Sequence, residues 1–263
     1  MTLSIIYINY NTRQLLKQSL KHFFLISPAI DFEIIVVDNN STDGSAEMLL
    51  EEFRQVKLIK SKKNLGYAGG ANLGLKNASG SFVAVFNADI FIIQNSLETA
   101  INYMDNHTDI GMAGPKLINA DGSLQYSCYR FPRPYTPILR RTFLGETKWG
   151  KREVDKYLMK DYNHNDARPV DWLLGGALIA RKSALFEVGF FDDQYFLYFE
   201  DTDLAHRLKD KGYKVMYLPS SKMYHLHRRE SADTGLLKSL FNPATRAHIK
   251  SAIKYFWKYK ASR

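Results

Sequence analysis

A single cysteine, Cys128, leaves no internal disulfide to form and no multi-cysteine zinc site to build. That excludes the stapled secreted scaffolds. Long apolar runs are missing as well: LSIIYI, FEIIVV and FVAVF are strand-sized, far short of the roughly 18 residues a membrane-spanning helix needs. No basic stretch precedes an apolar one at the N-terminus, where the chain runs straight into Ile5, Ile6 and Tyr7. The expectation is no signal peptide and a cytoplasmic chain. Internal repeats and low-complexity tracts are absent, and 45% hydrophobic with 24% charged residues excludes a disordered polymer. A length of 263 residues suits one large domain with an appendage.

Charge is present but uneven. The net charge is +9, yet residues 203–263 hold 14 Lys and Arg against 4 Asp and Glu, a net of +10, so the rest sums to −1. Such asymmetry points to a polyanionic partner: a membrane surface, nucleic acid or a phosphorylated substrate. In HIKSAIKYFWKYK, Ile249, Ala252, Ile253, Phe256 and Trp257 share one helical face, with Lys250, Lys254, Lys258 and Lys260 largely off it. That describes a helix lying on an anionic membrane interface, where each basic residue is worth about 1 kcal/mol. The alternative is a terminal helix packing the same apolar face on the domain.

Along the first 100 or so residues, strand and helix patterns alternate four times, which implies an α/β fold with an open, mostly parallel twisted sheet. Strands are expected at 3–7, 33–37, 56–59 and 82–86. Helices are expected after Thr12, as a cap, from about Ser45, and around Leu73 and Leu75 after a loop spanning 61–70. Ligands of such sheets bind outside the carboxyl ends of the strands. Each of those ends carries a polar cluster here: 9–11, 38–41, 64–67 and 87–89. Residues 115–166 lose all periodicity and read as a substrate-shaping insertion or mobile loops. Order returns at 170–181, around Gly175 and Gly176, then in a helix with Leu204 and Leu208, and in a strand over 213–218.

Four clusters are able to carry chemistry. Asp38 either accepts a hydrogen bond from the imide N–H of a uracil or thymine base, or caps the next helix. In KKNLGYAGGANLG, glycines let backbone amides approach an anion, with Lys62 or Lys63 adding charge. It is neither a P-loop nor a GxGxxG dinucleotide fingerprint. Asn87-Ala88-Asp89 holds a hard divalent cation through oxygens, or Asp89 caps a turn. In Glu200-Asp201-Thr202-Asp203, neighbouring carboxylates and burial raise a carboxyl pKa, which suits a general base for a hydroxyl; the alternative is an acidic helix cap. His225 and His227 follow the last strand as metal ligands, as diphosphate contacts or as neither.

The order of these motifs is more telling than any one. IIYINYN, VVDNNSTDGS, NLGYAGGANLG, FNAD, DWLLGGA, GFFDDQYFLYFEDTDLAHRLKDKGY and a late histidine together resemble the family 2 inverting glycosyltransferases of GT-A fold, over about residues 3–231. The combination of FNAD, DWLLGGA and GFFDDQYFLYFEDTDL resembles the bacterial rhamnosyltransferases that build O-antigen and related cell-surface polysaccharides. The resemblance implies that Asp38 reads the base, while Tyr10, Asn11 and Asn40 lie around the nucleotide. It implies that Lys63, Asn64, Gly66, Tyr67, Gly69 and Asn72 cover ribose and diphosphate. Asn87, Ala88 and Asp89 match the DxD-type motif, with Asn87 in place of its first acid. Asp89 and His225 then hold Mg2+ or Mn2+, weakly or optionally given Asn87. Asp171 and Trp172 shape the donor and acceptor pocket, and Asp201, with Glu200 beside it, is the catalytic base.

By the same resemblance the donor is dTDP-β-L-rhamnose, and the acceptor is a polyprenyl-diphosphate-linked sugar or polysaccharide at the inner face of the cell membrane. Residues 1–114 form the nucleotide-sugar half, 115–230 the acceptor half and 231–263 a basic amphipathic extension. A UDP-hexose donor on the same fold is the main alternative. A non-catalytic nucleotide-sugar binder has no need of the Glu200-Asp201-Asp203 cluster. A pyrophosphorylase needs a glycine-rich first loop where this chain has YINYNTRQ. A nucleic-acid partner accounts for the basic tail but for none of the strand-end clusters, so none is expected.

Overall fold

In the computed structural model, residues 1–226 and 242–260 are described. The β-branched runs form β1 (Leu3–Asn9), β2 (Phe32–Asp38), β3 (Lys57–Lys60) and β4 (Phe82–Asn87), alternating with α1 (Arg13–Ile26), α2 (Ser45–Glu52) and α3 (Gly66–Leu75). The four strands are parallel, in the order β3-β2-β1-β4. Successive side chains of a strand point to opposite faces. Leu3, Ile5 and Tyr7 of β1 therefore pack with Leu16, Leu20 and Phe23 of α1 on one face. Ile6 packs with Ala68, Ala71 and Leu75 of α3 on the other. Strands buried on both faces explain the continuous apolar runs.

The chain continues through β5 (Ile90–Ile92), α4 (Ser96–Asp105), β6 (Ile110–Ile118), β7 (Leu124–Gln125), β8 (Cys128–Tyr129), α5 (Thr136–Leu139), a 3-10 turn (Phe143–Glu146) and α6 (Lys148–Tyr157). Then come β9 (Arg168–Pro169), β10 (Trp172–Leu173), β11 (Ala177–Arg181), α7 (Lys182–Val188), α8 (Glu200–Asp210), β12 (Lys214–His225) and α9 (Pro243–Lys258). The sheet order is β3-β2-β1-β4-β11-β6-β12-β5. β11 runs antiparallel between β4 and β6, and β5 antiparallel to β12. The sheet is thus parallel through β4, as expected, and mixed beyond it.

Four local expectations shift. Thr12 does not cap α1 with its side chain; its hydroxyl donates to Asn9 Oδ1 at 2.7 Å. The glycine-rich stretch is helix from Gly66 on rather than loop to Gly70. Gly66 has φ +72, and a Cβ there would sit 2.2 Å from the Phe196 carbonyl oxygen; at Gly74 one would fall 2.4 Å from Ile6 Cγ2. These two glycines let α3 lie tightly between the sheet and the 191–196 segment. β12 does not stop at Leu218 but passes a register break and ends at His225. His227 lies outside the described residues.

The fourth shift concerns α9, which buries Ser251 and Tyr255, with Tyr259 just beyond its end, while Ala252 and Phe256 are half-buried. Ile249, Ile253 and Trp257 face outward, the last 81% exposed. The packed face is turned away from the one marked by aliphatic residues. Tyrosines score as half-polar in a hydropathy pattern yet contribute large buried area.

Candidate active site

The carboxyl edge of the sheet sets out a row of polar groups. Register aligns Asn9 of β1 with Asp38 of β2, and Ile8 of β1 with Asn87 of β4. The Asn87 amide donates to the Gly176 carbonyl at 3.0 Å, and the Gly175 amide donates to Asp201 Oδ2 at 2.9 Å. From Asp38 to Gly176 is three strand spacings, roughly 14 Å. Ligands of open α/β sheets bind outside such strand ends.

At the first end, Asp38 is buried. Asn9 Nδ2 donates to its Oδ1 at 3.0 Å and the Ser41 amide to its Oδ2 at 3.3 Å. The carboxylate is held rather than spent as a helix cap. Asn11 and Asn40 both take left-handed backbone, and Asn11 Oδ1 accepts from the Thr42 amide at 2.8 Å. Tyr10, Asn40 and Lys63 are exposed at this rim. Asn39 ties the strand end to the next loop: its Nδ2 donates to Asn64 Oδ1 at 3.0 Å and to the Gly66 carbonyl at 2.9 Å, and its Oδ1 accepts from the Leu65 amide at 2.9 Å. The amides of Gly66 and Tyr67 bond to Asn64 Oδ1 and the Phe196 carbonyl. Within the glycine-rich stretch 62–74 expected to meet an anion, the amides of Leu65, Gly66 and Tyr67 are thus already engaged. Gly69 sits within α3, against Leu65.

In the middle stand Asn87, Ala88, Asp89 and His225. β12 pairs with β5 so that His225 aligns with Ile90, which brings His225 Nε2 to 3.3 Å from Asp89 Oδ1. His225 Nδ1–H donates to Gln125 Oε1 at 2.8 Å. That bond fixes the tautomer and turns Nε2 toward Asp89, the arrangement that supports a histidine metal ligand. Among the described residues no three His, Cys, Asp or Glu side chains are grouped to hold a metal ion. One carboxylate, one imidazole and the Asn87 amide fit a cation that completes its shell from a diphosphate, as oxygen-seeking ions do.

At the far end, α8 opens with the carboxyl pair. Glu200 and Asp201 are buried. Asp201 Oδ1 accepts from the Thr202 amide at 2.7 Å and its hydroxyl at 3.2 Å. Burial pushes the Asp201 carboxyl up to about 6, against those hydrogen bonds. Burial, then the Asp201 charge, pushes Glu200 well above the usual carboxylate range. Glu200 Oε2 is buried without a hydrogen-bond partner among the described residues. Both shifts run against ionising the two carboxyls together, and Asp201, which accepts from the Gly175 amide and from the Thr202 amide and hydroxyl, is the one whose charge the protein supports. Tyr67 hydroxyl donates to the Gly175 carbonyl; burial, then the charges of Glu200, Asp201 and Asp89, raise its pKa. Tyr67 thus ties α3 to the Gly175 turn beside Asp201.

Tyr198 and Phe199, directly before α8, have φ of 68 and 69. Non-glycine residues held there cost about 1–3 kcal/mol each and persist only where surroundings over-determine them.

Three expected site residues serve other contacts. Asn72 Nδ2 donates to the Phe191 carbonyl at 2.8 Å and to Asp193 at 2.5 Å, and its Oδ1 accepts from the Phe191 amide at 3.0 Å, bracing that segment. Asp171 pairs with Lys209 at 2.6 Å and accepts from the Phe131 amide at 2.9 Å. Trp172 stacks on Tyr129 at 4.4 Å, and its indole donates to the Arg130 carbonyl at 3.0 Å. Sequence reasoning passed over Gln125, and it placed Asn9 and Asn39 in strand-end clusters without giving either a role.

The family profile described as Glycosyl transferase family 2 matches residues 4–163. The chain belongs to glycosyl transferase family 2. Its sequence is 28% identical over 212 residues to the N-acetylglucosaminyl-diphospho-decaprenol L-rhamnosyltransferase of Mycobacterium tuberculosis, covering 75% of this chain and 67% of that one. It is 27% identical over 179 residues to Rhamnosyltransferase WbbL of Escherichia coli K12, covering 68% and 62%. The chain thus spans about two thirds of these relatives. Among solved structures, GalNAc-T7 with UDP, GalNAc and Mn2+ superposes with a TM-score of 0.68 at 15% identity, over 97% of this chain and 47% of that one. S. aureus TarS in complex with UDP-GlcNAc gives 0.58 at 19%, over 90% and 62%. These neighbours share the GT-A-like fold. The family 2 chain is therefore a glycosyltransferase with rhamnosyltransferase relatives at modest identity.

Proposed function

We propose that this family 2 glycosyltransferase inverts the anomeric centre of a nucleotide sugar, dTDP-β-L-rhamnose, while transferring the sugar to a hydroxyl of a polyprenyl-diphosphate-linked or polysaccharide acceptor. The observation that carries the mechanism is the buried Glu200–Asp201 pair at the start of α8, where the Gly175 amide donates to Asp201 Oδ2 and so ties a buried carboxyl to the end of the sheet's polar row. The preference for rhamnose is supported by the two rhamnosyltransferase relatives. Residues 1–114 supply the nucleotide half, with Asp38 on the base. Residues 115–230 supply the acceptor half. Asp201 takes the proton of the acceptor hydroxyl. That oxygen bonds to the anomeric carbon as the bond to the diphosphate oxygen breaks on the opposite face. Asp89 and His225, with Asn87, would hold Mg2+ or Mn2+; the bound cation offsets the charge of the leaving diphosphate.

A donor screen tests this. Thermal shift or calorimetry with dTDP-rhamnose, UDP-sugars and free dTDP, with Mn2+ or Mg2+, should show selective stabilisation by dTDP-rhamnose. Preference for a UDP-hexose would keep the mechanism and replace the sugar; no response to any nucleotide would remove the function.

With such an acceptor the enzyme would work at the inner face of the cell membrane as a peripheral protein. Among the described residues no helix is long and apolar enough to cross a membrane. The outward stripe Ile249, Ile253 and Trp257 lies beside Arg246 and Lys250, an interfacial pattern. Phe143, 78% exposed, follows Arg140 and Arg141, whose charges act on His248 of α9. Ile253→Glu combined with Trp257→Ser should weaken binding to phosphatidylglycerol vesicles about 10-fold, ~1.4 kcal/mol. Turnover of a soluble acceptor analogue should be unchanged. Undiminished sedimentation with vesicles would move the membrane contact off α9.

A further inference from the structure

Asp203 lies on the turn of α8 that carries Glu200 and Asp201, and it is fully buried. Its neighbours come from two helices. Arg207 Nε of α8 donates to Oδ2 at 2.8 Å. Lys258 Nζ, at the end of α9, donates to Oδ1 at 2.7 Å, and the Tyr259 hydroxyl to the same oxygen at 2.9 Å. A buried carboxylate with this many charged or polar donors is tightly fixed. The last turn of α9 thus grips the first turn of α8, two residues from Asp201.

The rest of α9 fastens the segment that leads into α8. Lys258 also reaches Asp192 at 2.8 Å; Lys254 donates to the Gln194 carbonyl at 2.6 Å, and Ser251 to the Leu197 carbonyl at 2.9 Å. The ring of His248 lies 5.0 Å from that of Tyr198, and Tyr255 lies 5.1 Å from Phe199. Tyr259 stacks on His206 of α8 at 4.1 Å. On the opposite side the same segment is bound to α3: the Phe196 carbonyl accepts from the Tyr67 amide at 2.7 Å, and Phe191 is bound by Asn72. Residues 191–199 are held between α3 and α9, which accounts for the persistence of left-handed backbone at Tyr198 and Phe199.

We propose that α9 is a positioning element of the active site: Lys258 and Tyr259 hold Asp203, and with the aromatic face of α9 they fix the segment and helix turn that aim Asp201. Neither residue touches the polar row, so both act through α8. The inference rests on the assignment of Asp201 as base, and it separates the two faces of α9. The inner face serves the chemistry, and the outer face serves the membrane.

The test uses the full chain with Lys258→Met, Tyr259→Phe and the double variant; Lys260→Met, an exposed lysine just beyond the same helix, is the reference. Tyr259→Phe keeps the ring and loses only the hydroxyl, so it folds even if the double variant does not. The double variant should lose about 10- to 100-fold in kcat, as misplaced groups do, with donor affinity within about two-fold. Tyr259→Phe alone should lose less, and Lys258→Arg should restore most of the loss. Hydrogen exchange at the amides of 201–204 should quicken in the variants while that of β1 stays as in the wild type. Unchanged kcat in Tyr259→Phe and Lys258→Met, or unchanged exchange at 201–204, would overturn the proposal. If the wild type turns over no nucleotide sugar, the glycosyl-transfer reading fails and the exchange measurement alone decides whether α9 holds α8.

Discussion

Asp201→Asn should lower glycosyl transfer by about 10²- to 10⁴-fold, the range a positioned general base supplies, while donor affinity changes by no more than a few fold. An amide at this place keeps the shape of the carboxyl and its bond from the Thr202 amide at 2.7 Å. It loses the proton acceptor and sets an N–H against the Gly175 amide, at a cost of about 1 kcal/mol. Turnover and donor binding are measured separately, by product formation and by calorimetry with the nucleotide. Retained turnover would take the base role away from Asp201. Donor affinity lost in parallel would make it a binding residue instead.

The pH dependence follows from the same carboxyl pair. Asp201 works as a base only when ionised, and burial raises its pKa to about 6. The rate constant kcat should therefore climb as pH rises through about 6 and level off above it. The stability effect has the opposite sense. A carboxyl whose folded pKa lies above its unfolded value favours the fold at low pH, and that contribution is lost between 3.8 and about 6 as the pH rises. Asp201→Asn removes this loss, so its melting temperature should vary less over that interval than that of the wild type.

The parts of the site that the sequence displays are those attached to strong local patterns. Asp38 and Asp89 come at the ends of buried apolar runs, and Asp201 heads a helix whose Leu204 and Leu208 mark its period. Any residue in such a place is legible because the strand end positions it. Gln125 has no such frame. It sits in a two-residue strand inside the stretch that lacks periodicity, and its contact with His225 arises only when β12 delivers that histidine from 100 residues away. The glycines at 66 and 74 announce a close approach, but the groups that come close, the Phe196 carbonyl and Ile6, are set by tertiary packing. α9 is legible as a helix, but which of its residues pack on the domain is not. Its aliphatic stripe is outside, and the tyrosines that carry the packing belong to no stripe of high hydropathy. The antiparallel insertion of β11 between β4 and β6 likewise has no local signal, since a five-residue buried strand reads the same in either direction.

Asp89→Ala should weaken nucleotide-sugar binding about 10- to 100-fold, the loss known for residues that support a metal ion, and should abolish the dependence of that binding on Mn2+ or Mg2+. The reason lies in the charges of the site. Asp38, Asp89 and Asp201 are acidic groups along one polar row, and a diphosphate laid across that row needs a countercharge. The protein offers Asp89 Oδ1 beside His225 Nε2, 3.3 Å apart, with Gln125 fixing the imidazole from behind. The amide of Asn87 in place of a second acid leaves the site one negative charge poorer, so the cation should bind together with the nucleotide rather than ahead of it. Calorimetry with dTDP or UDP, with and without Mn2+, reads both effects in one experiment. In the wild type the cation should strengthen nucleotide binding; in Asp89→Ala the two titrations should coincide at the weaker value. A cation effect that survives the substitution would place the ion away from Asp89. Nucleotide affinity that falls while the cation effect persists would make Asp89 a direct contact of the donor. Gln125→Ala separates the imidazole from the carboxylate: with Asp89 intact, its loss should reduce the cation effect without removing it, because His225 would keep Nε2 but lose the bond that aims it.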